Sequence, residues 1–180
     1  RAIWRFADNV GRHMGECSGL DRMIPEGRIE ISGHQQIRAL AGRRPVLGLQ
    51  LHTGNWEVFG PALIHHGVIP AIFYAPPENP MQRRIIEEVR RRCGATLLTP
   101  DMQGLRKALA LLRDHHFVTI GCDEARAGQL MAPLFGRPPH DKGNLAVAAK
   151  LARRTGALIV TGHCVRLERC RFRLQISEPF

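Results

Sequence analysis

Short continuous apolar runs, separated by stretches of helical periodicity, constrain this chain more than any other feature. PVLGLQL (45–51), VIPAIFYA (68–75), ATLLT (95–99), HFVTIGC (116–122) and ALIVTGHCVRL (157–167) each read as a strand. Between them lie helical patterns from Trp56 to His66, Pro80 to Arg92, Gln103 to Arg113 and Asn144 to Arg153. Strands that are apolar on both sides and alternate with helices predict an α/β fold. The expected architecture is a mixed, mostly parallel sheet covered on both faces. RCRFRLQIS (169–177) alternates polar and apolar residues and predicts a further strand. Near the start, Ile3, Phe6, Val10 and Met14 fall at helical spacing over residues 1–16. A short strand at 28–31 follows, and Ser32 is placed to cap a helix through His34 to Ala41.

At 180 residues the chain suits one domain, 1–180, which we read as a fragment trimmed at both ends. Its 44% hydrophobic and 23% charged residues are those of a globular protein, and no window is apolar enough to span a membrane. The five cysteines form no C-x-x-C pair, so reduced thiols are expected. Neither they nor the nine histidines fall at metal-ligand spacing, and no metal or other cofactor is expected. Lys and Arg outnumber Asp and Glu by 26 to 16, a formal charge of +10. That balance favours an anionic partner such as a phosphorylated lipid, a membrane surface, an acidic protein or nucleic acid. Nucleic acid is disfavoured, because Tyr74 is the only tyrosine and no aromatic-basic interleaving occurs.

The stretch LGLQLHTGNWEVFG (47–60) carries the chemistry. A strand ending at Leu51 presents His52 at its carboxyl end, where open α/β sheets build their sites. Gly54 and Asn55 turn the chain, and Glu57 opens the next helix, from where its carboxylate can fold back toward the imidazole. A carboxylate on one ring nitrogen makes the other a general base for a substrate hydroxyl. The bland alternatives are a satisfied polar histidine at a strand end and a glutamate that favours a helix N-terminus. His65, His66, His115 and His116 read as solvated helix-end and turn residues, and His163 as a core histidine. H-x-x-x-x-E lacks the paired ligands of H-E-x-x-H, which disfavours a metal-dependent hydrolase.

HTGNWE resembles the H-x-x-x-x-[DE] signature of the glycerolipid acyltransferase superfamily, and LQLHTGNWEVFG is similar to the lipid A late acyltransferases, the lauroyl and myristoyl transferases. DNVGRHMGE (8–16), FYAPPENPMQRRI (73–85), GLRKALALLRDHHFVTIGCDEARAG (104–128) and PLFGRPPHDKGNLAVAAKLARRTGALIV (133–160) resemble further segments of that family, in order. The resemblance implies a glycerolipid-acyltransferase-like fold and transfer of an acyl chain from acyl carrier protein, or acyl-CoA, to a hydroxyl of a lipid A precursor. It makes His52 the base and Glu57 its orienting partner, and has Asn55 hold the loop or the substrate. Asp123 takes a supporting place in the site, or is a turn aspartate; Arg137 contacts a phosphate of the acceptor, or is a solvated arginine. The implied location is the cytoplasmic face of a bacterial inner membrane.

Three positions depart from the family pattern. Ala75 stands between Tyr74 and Pro76 where arginine is expected, with Arg83 or Arg84 as conceivable substitutes. The acidic turn reads Asp123-Glu124-Ala125, and Pro139-His140-Asp141-Lys142 replaces a threonine-rich stretch. They leave open an acceptor such as a lysophospholipid, a phosphatidylinositol mannoside or an ornithine lipid, or an inactive scaffold.

Overall fold

The structure, a computed structural model, describes residues 2–92, 94–126 and 128–180. Helix α1 (Ala2–Glu16) leads through a 3-10 turn into α2 (Leu20–Met23), β1 (Ile29–Ser32) and α3 (His34–Leu40). The central part runs β2 (Val46–Gln50), α4 (Phe59–His65), β3 (Pro70–Phe73), α5 (Pro80–Arg92), β4 (Thr96–Leu98), α6 (Met102–Arg113) and β5 (Phe117–Gly121). A small hairpin, β6 (Ala125–Arg126) and β7 (Gln129–Leu130), precedes α7 (Asn144–Thr155), β8 (Leu158–Arg166) and β9 (Phe172–Ile176). Seven strands form one sheet in the order β1-β9-β8-β2-β5-β3-β4, parallel throughout except for the antiparallel β8–β9 pair. The expected α/β class and mixed, mostly parallel sheet are therefore present.

Side chains of β2 alternate between two cores. Leu47 joins Ala108 and Leu112 of α6 and Ala148 and Leu151 of α7 on one face. Val46 points the other way, to Ile37 of α3 and Leu63 of α4. The connections from β2 to β3 and from β5 to β8 leave on opposite faces, as right-handed crossovers in opposite directions require. Adjacent strands whose connections diverge open a crevice at their carboxyl ends, so the β2–β5 boundary is the switch point of this sheet.

Coverage on both faces holds only around β2, β5 and β3. Along β9, Phe172 and Leu174 are fully buried while Arg173 and Gln175 face solvent. Along β8, Cys164 is buried while Thr161, His163 and Val165 are exposed. The β8-β9-β1 wing is covered on a single face, and His163 is a surface residue rather than a core histidine. Antiparallel strands tolerate one wet face. Ser32 does not cap α3 either: it is the last residue of β1 and donates its hydroxyl to the Leu174 carbonyl at 3.3 Å. Gly33, at φ 81, takes the cap position. The β6–β7 hairpin was not legible in the sequence. Four cysteines are described and none is paired; Cys93 lies outside the described residues. Burial pushes the Cys17 thiol up to about 12 and those of Cys122 and Cys164 to about 11, so none of these is a thiolate near neutrality.

His34, the first residue of α3, is buried and stacks on His66 just after α4, with ring centroids 4.0 Å apart. Desolvation lowers both histidines from 6.5, helped by the Arg38 guanidinium and, at His66, by its histidine neighbours. A base whose folded pKa is lowered stabilises the fold above its unfolded value and loses that contribution as pH falls below it. We therefore expect the unfolding free energy to decline from about pH 6.5 downward. Denaturant melts of the protein and of a His34→Gln/His66→Gln variant test this, the variant showing the shallower decline.

Candidate active site

The segment after β2 and the segment after β5 meet at the switch point. His52 Nδ1 lies 2.6 Å from Asp123 Oδ1, and the His52 backbone N–H donates to Asp123 Oδ2 at 2.7 Å. One carboxylate thus grips both the ring and the backbone of the same residue. Asp123 is mostly covered, whereas the imidazole is 45% exposed. Desolvation alone would raise the Asp123 carboxyl, but the hydrogen bonds and charge it shares with His52 outweigh that, and its pKa is lowered. With Nδ1 engaged by an ionised carboxylate, the proton sits on Nδ1 and Nε2 carries a free lone pair.

The ring fits there because residue 121 has no side chain. A Cβ on Gly121 would come within 2.6 Å of His52 Cε1. The loop is fixed from the far side as well: Gly54 adopts φ 60, and a Cβ there would meet the Cys164 carbonyl oxygen at 2.6 Å. Trp56 supports the imidazole with an edge-to-face contact, ring centroids 5.1 Å apart.

Glu57 is not the partner of His52. It lies in the 3-10 turn Trp56–Val58, almost fully buried, and receives both arms of the Arg90 guanidinium from α5, at 2.9 and 2.7 Å. Arg90 in turn stacks over the Tyr74 ring at 4.5 Å. A carboxylate this deep needs a compensating cation, and a bidentate arginine supplies one. Asn55 is turned inward as well. It is 0% exposed, and its side chain accepts from Glu57 N, meets His13 Nδ1 at 2.9 Å and donates to Glu16 at 2.9 Å. Of the two parts expected for Asn55, holding the loop is the one its contacts serve.

His13 stacks on Trp56, with centroids 3.9 Å apart, and Arg166 from the end of β8 ties Glu16 to Asn9. Helix α1 is thereby bolted to the loop that carries His52. Sequence reasoning missed His13, Arg90, Arg166 and Gly121. Asn9 and Glu16 stood out in DNVGRHMGE, but nothing local pointed to their contacts 39 to 157 residues away. Arg137 is exposed on the loop before α7, without an ion pair among the described residues, and the structure does not join it to His52. Arg83 donates twice to the Pro77 carbonyl, so it braces the segment that contains Ala75. The described residues contain no cluster of three or more metal-ligating side chains.

Two consequences are measurable without any substrate. Gly121→Ala leaves the fold standing but displaces the His52 ring, seen as an altered Nδ1 and Nε2 shift pattern in nitrogen NMR of the imidazole. Arg90→Ala strands Glu57 without its cation and costs about 3–5 kcal/mol in chemical denaturation. A Glu57→Leu/Arg90→Met pair recovers much of that loss.

An exposed histidine on a covered carboxylate, at the mouth of a parallel sheet, is suited to removing a proton from a hydroxyl. No curated protein sequence matches the chain significantly. The family described as "Bacterial lipid A biosynthesis acyltransferase" matches it over residues 3–180. The chain therefore belongs to the bacterial lipid A biosynthesis acyltransferase family, and is an acyltransferase.

Proposed function

We propose that residues 1–180 form a domain that transfers a fatty acyl chain from an acyl carrier protein thioester to a hydroxyl of a lipid A precursor. The observation that carries this reading is the 2.6 Å pairing of His52 Nδ1 with Asp123, which leaves Nε2 free at the sheet mouth. His52 Nε2 takes the proton of the acceptor hydroxyl as its oxygen attacks the thioester carbonyl carbon. The tetrahedral intermediate collapses by breaking the carbon–sulfur bond. The departing thiolate then recovers the proton from Nε2, which restores neutral His52 and releases the carrier thiol. Asp123 holds the tautomer and stabilises the imidazolium while it exists. Glu57 acts at one remove, by anchoring the motif turn to α5.

The acceptor places the work at a lipid surface, which we assign to the cytoplasmic face of the inner membrane. No described helix is long and apolar enough to cross a membrane. Ile3, Trp4 and Phe6 on the first half of α1, Met81 after β3 and Phe135 after β5 are large, apolar and exposed. Side chains of that kind favour the headgroup boundary of a bilayer. In this reading the exposed Arg137, two residues past Phe135, contacts an acceptor phosphate.

The test offers carrier-protein thioesters of several chain lengths with a tetraacylated, Kdo-bearing lipid A precursor, and reads mass gain. His52→Ala is expected to lower kcat by about 10²–10⁴-fold, and Asp123→Asn by at least about 10²-fold with an unchanged melting midpoint. Glu57→Gln mainly lowers the melting midpoint. Transfer that survives His52→Ala eliminates the mechanism. Transfer only to a phospholipid or other glycolipid moves the acceptor, as Ala75 in place of the family's arginine allows.

A further inference from the structure

Helices α6 and α7 pack side by side over one core on the same face of the sheet. Their outward positions carry Arg106, Lys107 and Arg113 on α6 and Lys150, Arg153 and Arg154 on α7, all exposed. Neither helix contains an acidic residue. None of the six cations has an ion-pair partner among the described residues, unlike the arginines of α5, where Arg90 pairs with Glu57 and both Arg91 and Arg92 with Glu88. The nearest acids in sequence are occupied or at the margin: Asp101 caps α6 through Gly104 N at 2.9 Å, Asp114 lies just past its end, and Asp141, three residues before α7, faces His140 Nδ1 at 3.2 Å. Two helices that combine six cations with no acid concentrate positive potential on one side of the molecule.

The composition of this plate also selects its partner. Between the cations stand small residues, Ala110 and Ala149. Of the large exposed apolar side chains, only Met102, at the first residue of α6, belongs to either helix. A surface that inserts into a bilayer sets aromatic or aliphatic anchors beside its basic residues. Those anchors instead sit on α1 and on the segments after β3 and β5. The plate therefore suits a soluble acidic protein better than a bilayer.

The plate also reaches the site. The side chain of Asn144, at the start of α7, donates to the Gly121 carbonyl at 2.6 Å, and Gly121 abuts His52. Lys150 is six residues further along the same helix, about 9 Å at ~1.5 Å per residue. A carrier seated on the plate is thus within reach of His52 through an extended phosphopantetheine arm.

We propose that the outer face of α6 and α7 is the docking surface for an acidic acyl carrier protein, which binds there through Arg106, Lys107, Arg113, Lys150, Arg153 and Arg154. The proposal rests on a carrier-protein thioester being the donor. Calorimetry measures the affinity of the intact protein for purified acyl carrier protein thioester, at low and at physiological salt, with Arg106→Glu/Lys107→Glu and Arg153→Glu/Arg154→Glu as variants. Wild type is expected to bind more weakly as salt rises, and each charge-reversed pair to weaken binding about tenfold or more. With transfer as readout, each pair raises KM for the carrier thioester by a similar factor while kcat and the KM for an acyl-pantetheine thioester hold. Unchanged carrier affinity in both variants overturns the proposal. So does an equal rise in KM for acyl-pantetheine, or a loss confined to binding of anionic phospholipid vesicles. Inactivity of the wild-type enzyme with every donor strikes at the acyl-transfer reading instead, and the calorimetry still decides the docking surface.

Discussion

The parallel pairing of β2 with β5, Val46 through Gln50 against Phe117 through Gly121, is the contact on which the site depends. His52 and Asp123 stand 71 positions apart, and they share a hydrogen bond only because their strands end side by side. The pairing does more than bring them close. Because the chain leaves β2 over one face of the sheet and β5 over the other, no connection roofs the gap between the two strand ends. The imidazole occupies that gap, and the absent side chain at Gly121 gives it room. Buried aliphatic packing on both faces, Leu47 toward α6 and α7 and Val46 toward α3 and α4, holds the two strands in register.

Two carboxylates were available to this histidine, and charge compensation allocates them. Glu57 turns inward, and at 5% exposure its carboxylate accepts two hydrogen bonds from the Arg90 guanidinium. That commitment leaves Asp123 for His52. The motif glutamate is then a mechanical part, a bolt between the turn after β2 and helix α5, and α1 supplies a second bolt through His13, Glu16 and Arg166. Buried hydrogen-bonded networks of this kind fix a loop more rigidly than exposed contacts do. A proposed base that must hold one orientation benefits from both.

The excess of basic residues also resolves into distinct parts. Arg90 and Arg166 are internal counter-ions, and Arg91 and Arg92 answer Glu88 on the same helix. What remains is uneven, with an all-cationic plate on α6 and α7 and apolar side chains gathered on α1 and on segments after β3 and β5. The proposed reaction, with one lipid and one protein-borne reactant, has a use for both surfaces.

The sequence by itself determined the fold class, the order of the main-sheet strands and their helices, and the position of His52 at a strand end. Those follow from local rules: apolar runs specify buried strands, 3.6-residue periodicity specifies helices, and the chain breaks where glycine, asparagine and proline cluster. It also gave Asp123 a place in the site, though only through likeness to a family. It misassigned what depends on distant partners. Glu57 looked like the histidine's carboxylate because five residues is a short reach, but Arg90, 33 residues on, draws it inward. Asn55 looked available, yet His13 and Glu16 of α1 and the turn at Glu57 close over it. His163 looked internal, because a strand covered on one face only cannot be told from one covered on both by its apolar content alone. Tertiary structure decided these, because desolvation and charge pairing are set by which surfaces meet, and that information is not local to any motif.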